Sequence, residues 1–137
     1  MSARSFIDTN VLVYTDDADS PDKRERALEL LADLRTKGTG VLSTQVLQEY
    51  FVAATRKLGV DAKLARRKTE LFSRFDLQVV ESEDVLAAAE LHIVHDLSFW
   101  DALIVTAARR SGCRVLYTED LAAGSTLAGV EIHNPFA

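Results

Sequence analysis

Ser5-Phe6-Ile7-Asp8-Thr9-Asn10-Val11-Leu12-Val13-Tyr14 joins a strand, a turn and a helix start within ten residues. Ser5-Phe6-Ile7 is a short, mostly apolar run that suits a strand. Asp8-Thr9-Asn10 follows at once and is a cluster of turn and cap formers. Val11 to Tyr14 reads as the helix after that turn. A strand that ends on an acid and turns directly into a helix opens an alternating α/β chain. It sets Asp8 at the carboxyl edge of the sheet, where such folds bind ligands.

The alternation continues outward. Ser20-Pro21-Asp22 marks a helix start, with Leu28, Leu31 and Leu34 on one face and Gly38 at the end. Val41-Leu42 is a second strand. Ser43 or Thr44 caps a helix that runs to Leu58 and stops at Gly59. Asp61 starts another, with Leu64, Leu71, Phe72 and Phe75 as its apolar side. Leu77 to Val80 is a third strand, and Ser82-Glu83-Asp84 opens a helix to about His95. Ser98 caps a helix that ends at Gly112, Arg114 to Tyr117 is a fourth strand, and Val130 to Ile132 a short fifth. The pattern predicts an α/β fold with a parallel sheet and helices on both faces. The chain shows no repeat or linker, and 137 residues suit one domain spanning 1–137.

Composition narrows the function classes. Hydrophobic residues make up 47%, which supports a packed core rather than a disordered chain. Cys113 is the single cysteine, so no intrachain disulfide forms; it reads as inert core beside a buried strand. No run reaches the roughly 18 apolar residues of a membrane span. Met1-Ser2-Ala3-Arg4 carries no apolar leader, so the expectation is a cytoplasmic protein with no membrane partner. The net charge of −5 opposes general attraction to nucleic acid. Arg56 to Arg74 departs from it, with seven basic residues against Asp61 and Glu70. Such a run is either a solvated helix face or a phosphate-contacting strip, with Lys63, Arg67 and Arg74 on roughly one face.

Four acids gather at the predicted edge. Asp8 follows the first strand, and Asp120 lies just beyond the fourth in Tyr117-Thr118-Glu119-Asp120. Glu49 sits early in the helix after the second strand, and Asp101 in the first turn of the helix capped by Ser98. Each has a plain alternative: Asp8 a turn cap, Glu49 a solvated helix residue, Asp101 part of a capping box, Asp120 a loop residue. Together they would repel one another and raise each other's pKa unless a divalent cation joined them. All-oxygen donors suit magnesium or manganese. His92 and His95 lack further soft ligands at zinc spacing and read as surface residues.

On these residues the sequence resembles the PIN-domain family, and within it the VapC-like ribonuclease toxins. The matching segments are Phe6 to Tyr14, Gln48-Glu49, Leu97 to Ile104, Leu116 to Leu121 and the closing Asn134-Pro135-Phe136. The resemblance implies a three-layer α/β/α sandwich around a parallel sheet of four or five strands. It implies Mg²⁺- or Mn²⁺-dependent hydrolysis of RNA with one or two ions held by Asp8, Glu49, Asp101 and Asp120. Thr118 would support the site, and Thr9 or Asn10 would support Asp8, with Glu119 a possible further contributor. No histidine falls in the motifs, so the metal rather than a protein base would activate the attacking water. A homodimer and a cognate antitoxin of a type II toxin–antitoxin pair are also implied. Three rivals fare worse. Asn10 stands where a haloacid-dehalogenase-type phosphatase needs its second acid. The third strand lacks a receiver domain's aspartate, and no glycine-rich loop follows the first strand. A catalytically silent PIN-like binding module and a housekeeping nuclease without an antitoxin remain as alternatives.

Overall fold

The structure, a computed structural model, describes residues 3–137. Met1 and Ser2, the first residues of the stretch read as lacking an apolar leader, lie outside the described residues. The chain runs β1 (Ser5–Ile7), α1 (Thr9–Tyr14), α2 (Pro21–Lys37), β2 (Gly40–Ser43), α3 (Thr44–Arg56), α4 (Ala62–Phe72) and β3 (Asp76–Gln78). It continues through α5 (Ser82–His95), α6 (Phe99–Arg110), β4 (Val115–Tyr117), β5 (Thr126–Leu127) and β6 (Val130–His133). The sheet has six strands in the order β3-β2-β1-β4-β6-β5, flanked by helices. Five strands are mutually parallel, and β5 pairs antiparallel with β6.

The five parallel strands match the expected parallel sheet of four or five, and β5 adds an antiparallel sixth that the sequence did not reveal. The extra strand has only two residues, and its turn hides from sequence. Ala128 and Gly129 both take positive φ, 50° and 83°, as a two-residue hairpin turn requires. Ala-Gly carries none of the usual Asn-Gly signal for that turn.

Phe6, Ile7, Leu42, Leu116 and Ile132 are fully buried, as expected where both sheet faces are covered. Around this core α2 buries Ala27, Leu31 and Leu34, spaced four and three apart. Leu28, expected on that face, is 47% exposed, and Ser20 makes no side-chain cap bond. In α4 the inward residues are Ala65 and Phe72, while Leu64 is 54% exposed. The helix ends at Phe72, so Arg74 does not share a face with Lys63 and Arg67. Gly38 closes α2 in the left-handed region, φ 69°, which favours glycine. At Gly40 an added Cβ would fall 2.7 Å from the Phe75 ring, so glycine lets that ring close over β2.

Strand β1 sits between β2 and β4. The chain steps from β1 through β2 to β3, then crosses to the other side of β1. The carboxyl ends of β1 and β4 thus flank a topological switch point, where ligands bind in open α/β sheets. Among the described residues no helix is long and apolar enough to cross a membrane.

Candidate active site

Asp8 caps α1 at the end of β1: its carboxylate accepts from the Thr9 N–H at 2.7 Å. Its own N–H donates to Tyr117 O at 3.0 Å, tying the ends of β1 and β4 together. Thr118, fully buried, donates its hydroxyl to Asp8 Oδ2 at 2.8 Å and accepts from the Asp120 N–H at 3.0 Å. Asn10 bridges the same groups. Its amide nitrogen lies 3.0 Å from Asp120 Oδ2, 3.2 Å from Thr118 Oγ1 and 3.4 Å from Asp8 Oδ2. Thr9 turns the other way and donates to Glu49 Oε1 at 2.6 Å. The first turn of α1 thus reaches three acids: Thr9 holds Asp8 through its N–H and Glu49 through its hydroxyl, and Asn10 contacts Asp8 and Asp120.

The fourth acid arrives on α6. Ser98 Oγ accepts from the Asp101 N–H at 3.1 Å, so Asp101 does complete a cap. Burial pushes its carboxyl up, the Ser98 hydrogen bond pulls it down, and the charge of Asp120 raises it further. The capping geometry and nearness to the other acids therefore coexist at one residue. Gln45, buried and absent from the sequence-derived set, fixes this helix to α3. Its amide donates to Trp100 O at 3.1 Å and to Glu49 Oε2 at 3.2 Å. Its position four residues before Glu49 on one helix face was the available signal.

Asp8 has the most strained electrostatics. Burial dominates and pushes its carboxyl from 3.8 up to about 7. The Thr118 and Thr9 hydrogen bonds oppose this, while Asp120 and Glu49 add repulsion. Glu119 is different. Burial alone would raise it, but Lys23 and Tyr14 outweigh that and hold it below its usual range. Both bonds measure 2.6 Å, and Tyr14 in turn packs edge-on against Phe136 at 4.8 Å. Glu119 is thus occupied by a clamp built partly from the closing Asn134-Pro135-Phe136 segment.

Hard oxygen donors on one sheet edge, one of them buried and hard to ionise alone, suit a divalent cation. Among the described residues no three His, Cys, Asp or Glu side chains converge closely enough to form a ready-made cage. Hydrogen bonds hold the acids in place: Thr9 and Gln45 hold Glu49, and Asn10 holds Asp120. Beside these acids opens a cleft of about 440 Å³, lined in part by Thr9, Asn10, Glu49, Lys57 and Asp120. His92 and His95 are exposed on α5, and Cys113 is buried, as expected.

The basic segment divides. Lys63 and Arg67 are exposed on α4. Lys68 points inward and pairs with Asp16, which also accepts from the Tyr50 hydroxyl at 2.7 Å. Arg74 lines a hollow with Gly40 and Asp76, the first residues of β2 and β3. That places it at the amino edge of the sheet, opposite the acids.

The architecture has clear counterparts. The Mycobacterium tuberculosis toxin VapC20, described as cleaving the sarcin-ricin loop, superposes with a TM-score of 0.70 at 23% identity, over 85% of this chain and 91% of that one. A DNA-bound VapBC structure from Salmonella typhimurium gives 0.69 at 19% identity, over 98% and 99% of the two chains. A toxin–antitoxin complex from Klebsiella pneumoniae gives 0.70 at 19% identity, over 96% and 97%. Comparison with curated proteins returns no match. At these identities the likeness is one of fold, but the PIN domain model matches residues 5–123, which hold all four acids, and the chain therefore belongs to the PIN-domain family.

Proposed function

We propose that this chain acts as one nuclease domain, a divalent-metal-dependent ribonuclease that hydrolyses RNA phosphodiester bonds. The observation that carries the reading is Asp8: a carboxyl buried at the switch point, pushed up to about 7, with Asp120 and Glu49 near enough to repel it. Asp8, Glu49, Asp101 and Asp120 would hold Mg²⁺ or Mn²⁺, one or two ions. Such an ion stabilises charge on the scissile phosphate and lowers the pKa of a water.

The protein's own groups prepare the site. Thr118 and the Thr9 N–H fix both oxygens of Asp8, so the carboxylate does not reorient. Asn10 holds Asp120, and Thr9 with Gln45 holds Glu49. Gln45 also pins the start of α6, and with it the backbone that carries Asp101. No histidine is among these groups, so proton transfer at the edge falls to carboxylates and water.

We also propose the toxin role, with an antitoxin and a second copy of the chain as partners. Likeness in fold to toxin–antitoxin complexes supports the first, and the exposed apolar side chains Leu86, Ile93 and Val94 on α5 support the second. The test of the catalytic reading is RNA incubated with purified protein and Mg²⁺ or Mn²⁺. Cleavage that chelator abolishes and that Asp8→Asn lacks supports it. Cleavage that Asp8→Asn retains overturns the site.

A further inference from the structure

Trp100 is the sole tryptophan of the chain and is 62% exposed. It directly precedes Asp101. Its carbonyl is held by the Gln45 amide that also holds Glu49, so its backbone is fixed to the acid edge. Phe99 stands edge-on to the indole, 5.2 Å between ring centres, and packs against the small cluster of Ala88, Ala102 and Leu103. The ring is therefore braced from within the fold yet open to solvent.

On α3 and its C-cap, Gln45, Glu49, Ala53 and Lys57 recur every fourth residue and form one stripe. It runs about 18 Å from the Trp100 end to Lys57. Glu49, Ala53 and Lys57 line the cleft beside the acids, and among the described residues Lys57 is the only basic one that does so. A polyanion entering this cleft meets Lys57 against the carboxylates of Asp17, Glu49 and Asp120. Stacking adds affinity there without needing charge, because every base has a π-face.

We propose that the Trp100 indole is a stacking platform for an unpaired base of the substrate, with Lys57 taking a phosphate at the other end of the stripe. This rests on the ribonuclease reading and narrows it. A paired base in a duplex has both faces covered, so the indole would take only an unpaired base. Trp100 is then a positioning and specificity residue that acts on substrate binding.

Because the chain has one tryptophan, its fluorescence reports this site alone. The probe is a twelve-nucleotide oligoadenylate RNA, titrated into wild-type protein with Ca²⁺ replacing Mg²⁺ to slow cleavage. The expected result is saturable quenching by the single strand and none by the same RNA annealed to its complement. Trp100→Ala should weaken binding, followed by RNA anisotropy, by about fivefold to a hundredfold, and Trp100→Phe should restore most of it. In cleavage assays the alanine variant should raise KM more than it lowers kcat. Binding without quenching, or unchanged affinity in Trp100→Ala, overturns the platform and leaves the ribonuclease reading standing. The platform is likewise overturned if Trp100→Ala dissociates a dimer or releases a protein partner while RNA affinity holds. If the wild type neither binds nor cuts RNA, both fall together.

Discussion

Asp8 is gripped by two donors, yet burial and two neighbouring carboxylates outweigh them. In the folded chain its carboxyl sits at about 7, against 3.8 for the ordinary group. The folded state therefore binds more protons than the unfolded state between those values, and stability falls as pH rises through that window. Without metal, wild-type protein should lose stability between about pH 4 and pH 7 relative to Asp8→Asn, which lacks the ionisable group. Urea unfolding of both in chelator measures the difference; parallel pH profiles would show that Asp8 ionises without cost. Asp8→Asn should melt no lower than wild type above neutral pH. Glu119 supports a second prediction at the same scale. Lys23 and Tyr14 already occupy its carboxylate, so Glu119→Gln should cut RNA within about tenfold of wild type, a local positioning loss. Asp120→Asn should lower cleavage by orders of magnitude. Equal losses would put Glu119 among the metal ligands. The clamp on Glu119 was invisible in the sequence because Tyr14, Lys23 and Phe136 come from other segments of the chain.

Among the elements, α4 shows how one basic run serves different ends. Lys68 and Asp16 are mostly buried partners under Tyr50. Removing one partner of such a pair typically costs about 3 kcal/mol, so Lys68→Ala should lower stability by roughly that amount. Lys63→Ala with Arg67→Ala should barely change it, since both are exposed. If those two contact phosphates, the double variant weakens RNA binding and shallows its salt dependence by about one to two units. Arg74→Ala, at the amino edge, should leave that slope unchanged; a shift in Arg74→Ala would mean RNA reaches the far side of the sheet. Helices with strong caps were readable. Asp61 and Ser98 cap α4 and α6 as their spacing predicts. Inward faces were less so: Ala27 and Ala65 are buried where Leu28 and Leu64 were expected, because small residues allow close helix packing that hydrophobicity alone does not reveal. The start of α5 was also readable: the helix opens at Ser82, and the Asp84 carboxylate accepts from the Glu81 N–H at 2.8 Å.

For the whole molecule, strand order is what brings separate acids to one edge of the sheet. Asp8, Glu49, Asp101 and Asp120 come from four separate segments, and β1 beside β4 brings the first and last together. The sequence made this edge legible because each acid follows a strand or opens a helix there. It could not reveal the side-chain ties of Thr9, Asn10 and Gln45, which depend on loop and rotamer geometry, nor the hairpin of β5 and β6. The central claim is that these acids form a divalent-metal site, and metal-dependent melting tests it most directly. A ligand that binds only the folded state raises the melting temperature. Wild-type protein should melt higher with Mn²⁺ than with chelator, and Asp8→Asn and Asp101→Ala should each lose most of that increase. A wild-type protein indifferent to Mn²⁺, or variants that respond as fully as it does, would contradict the account.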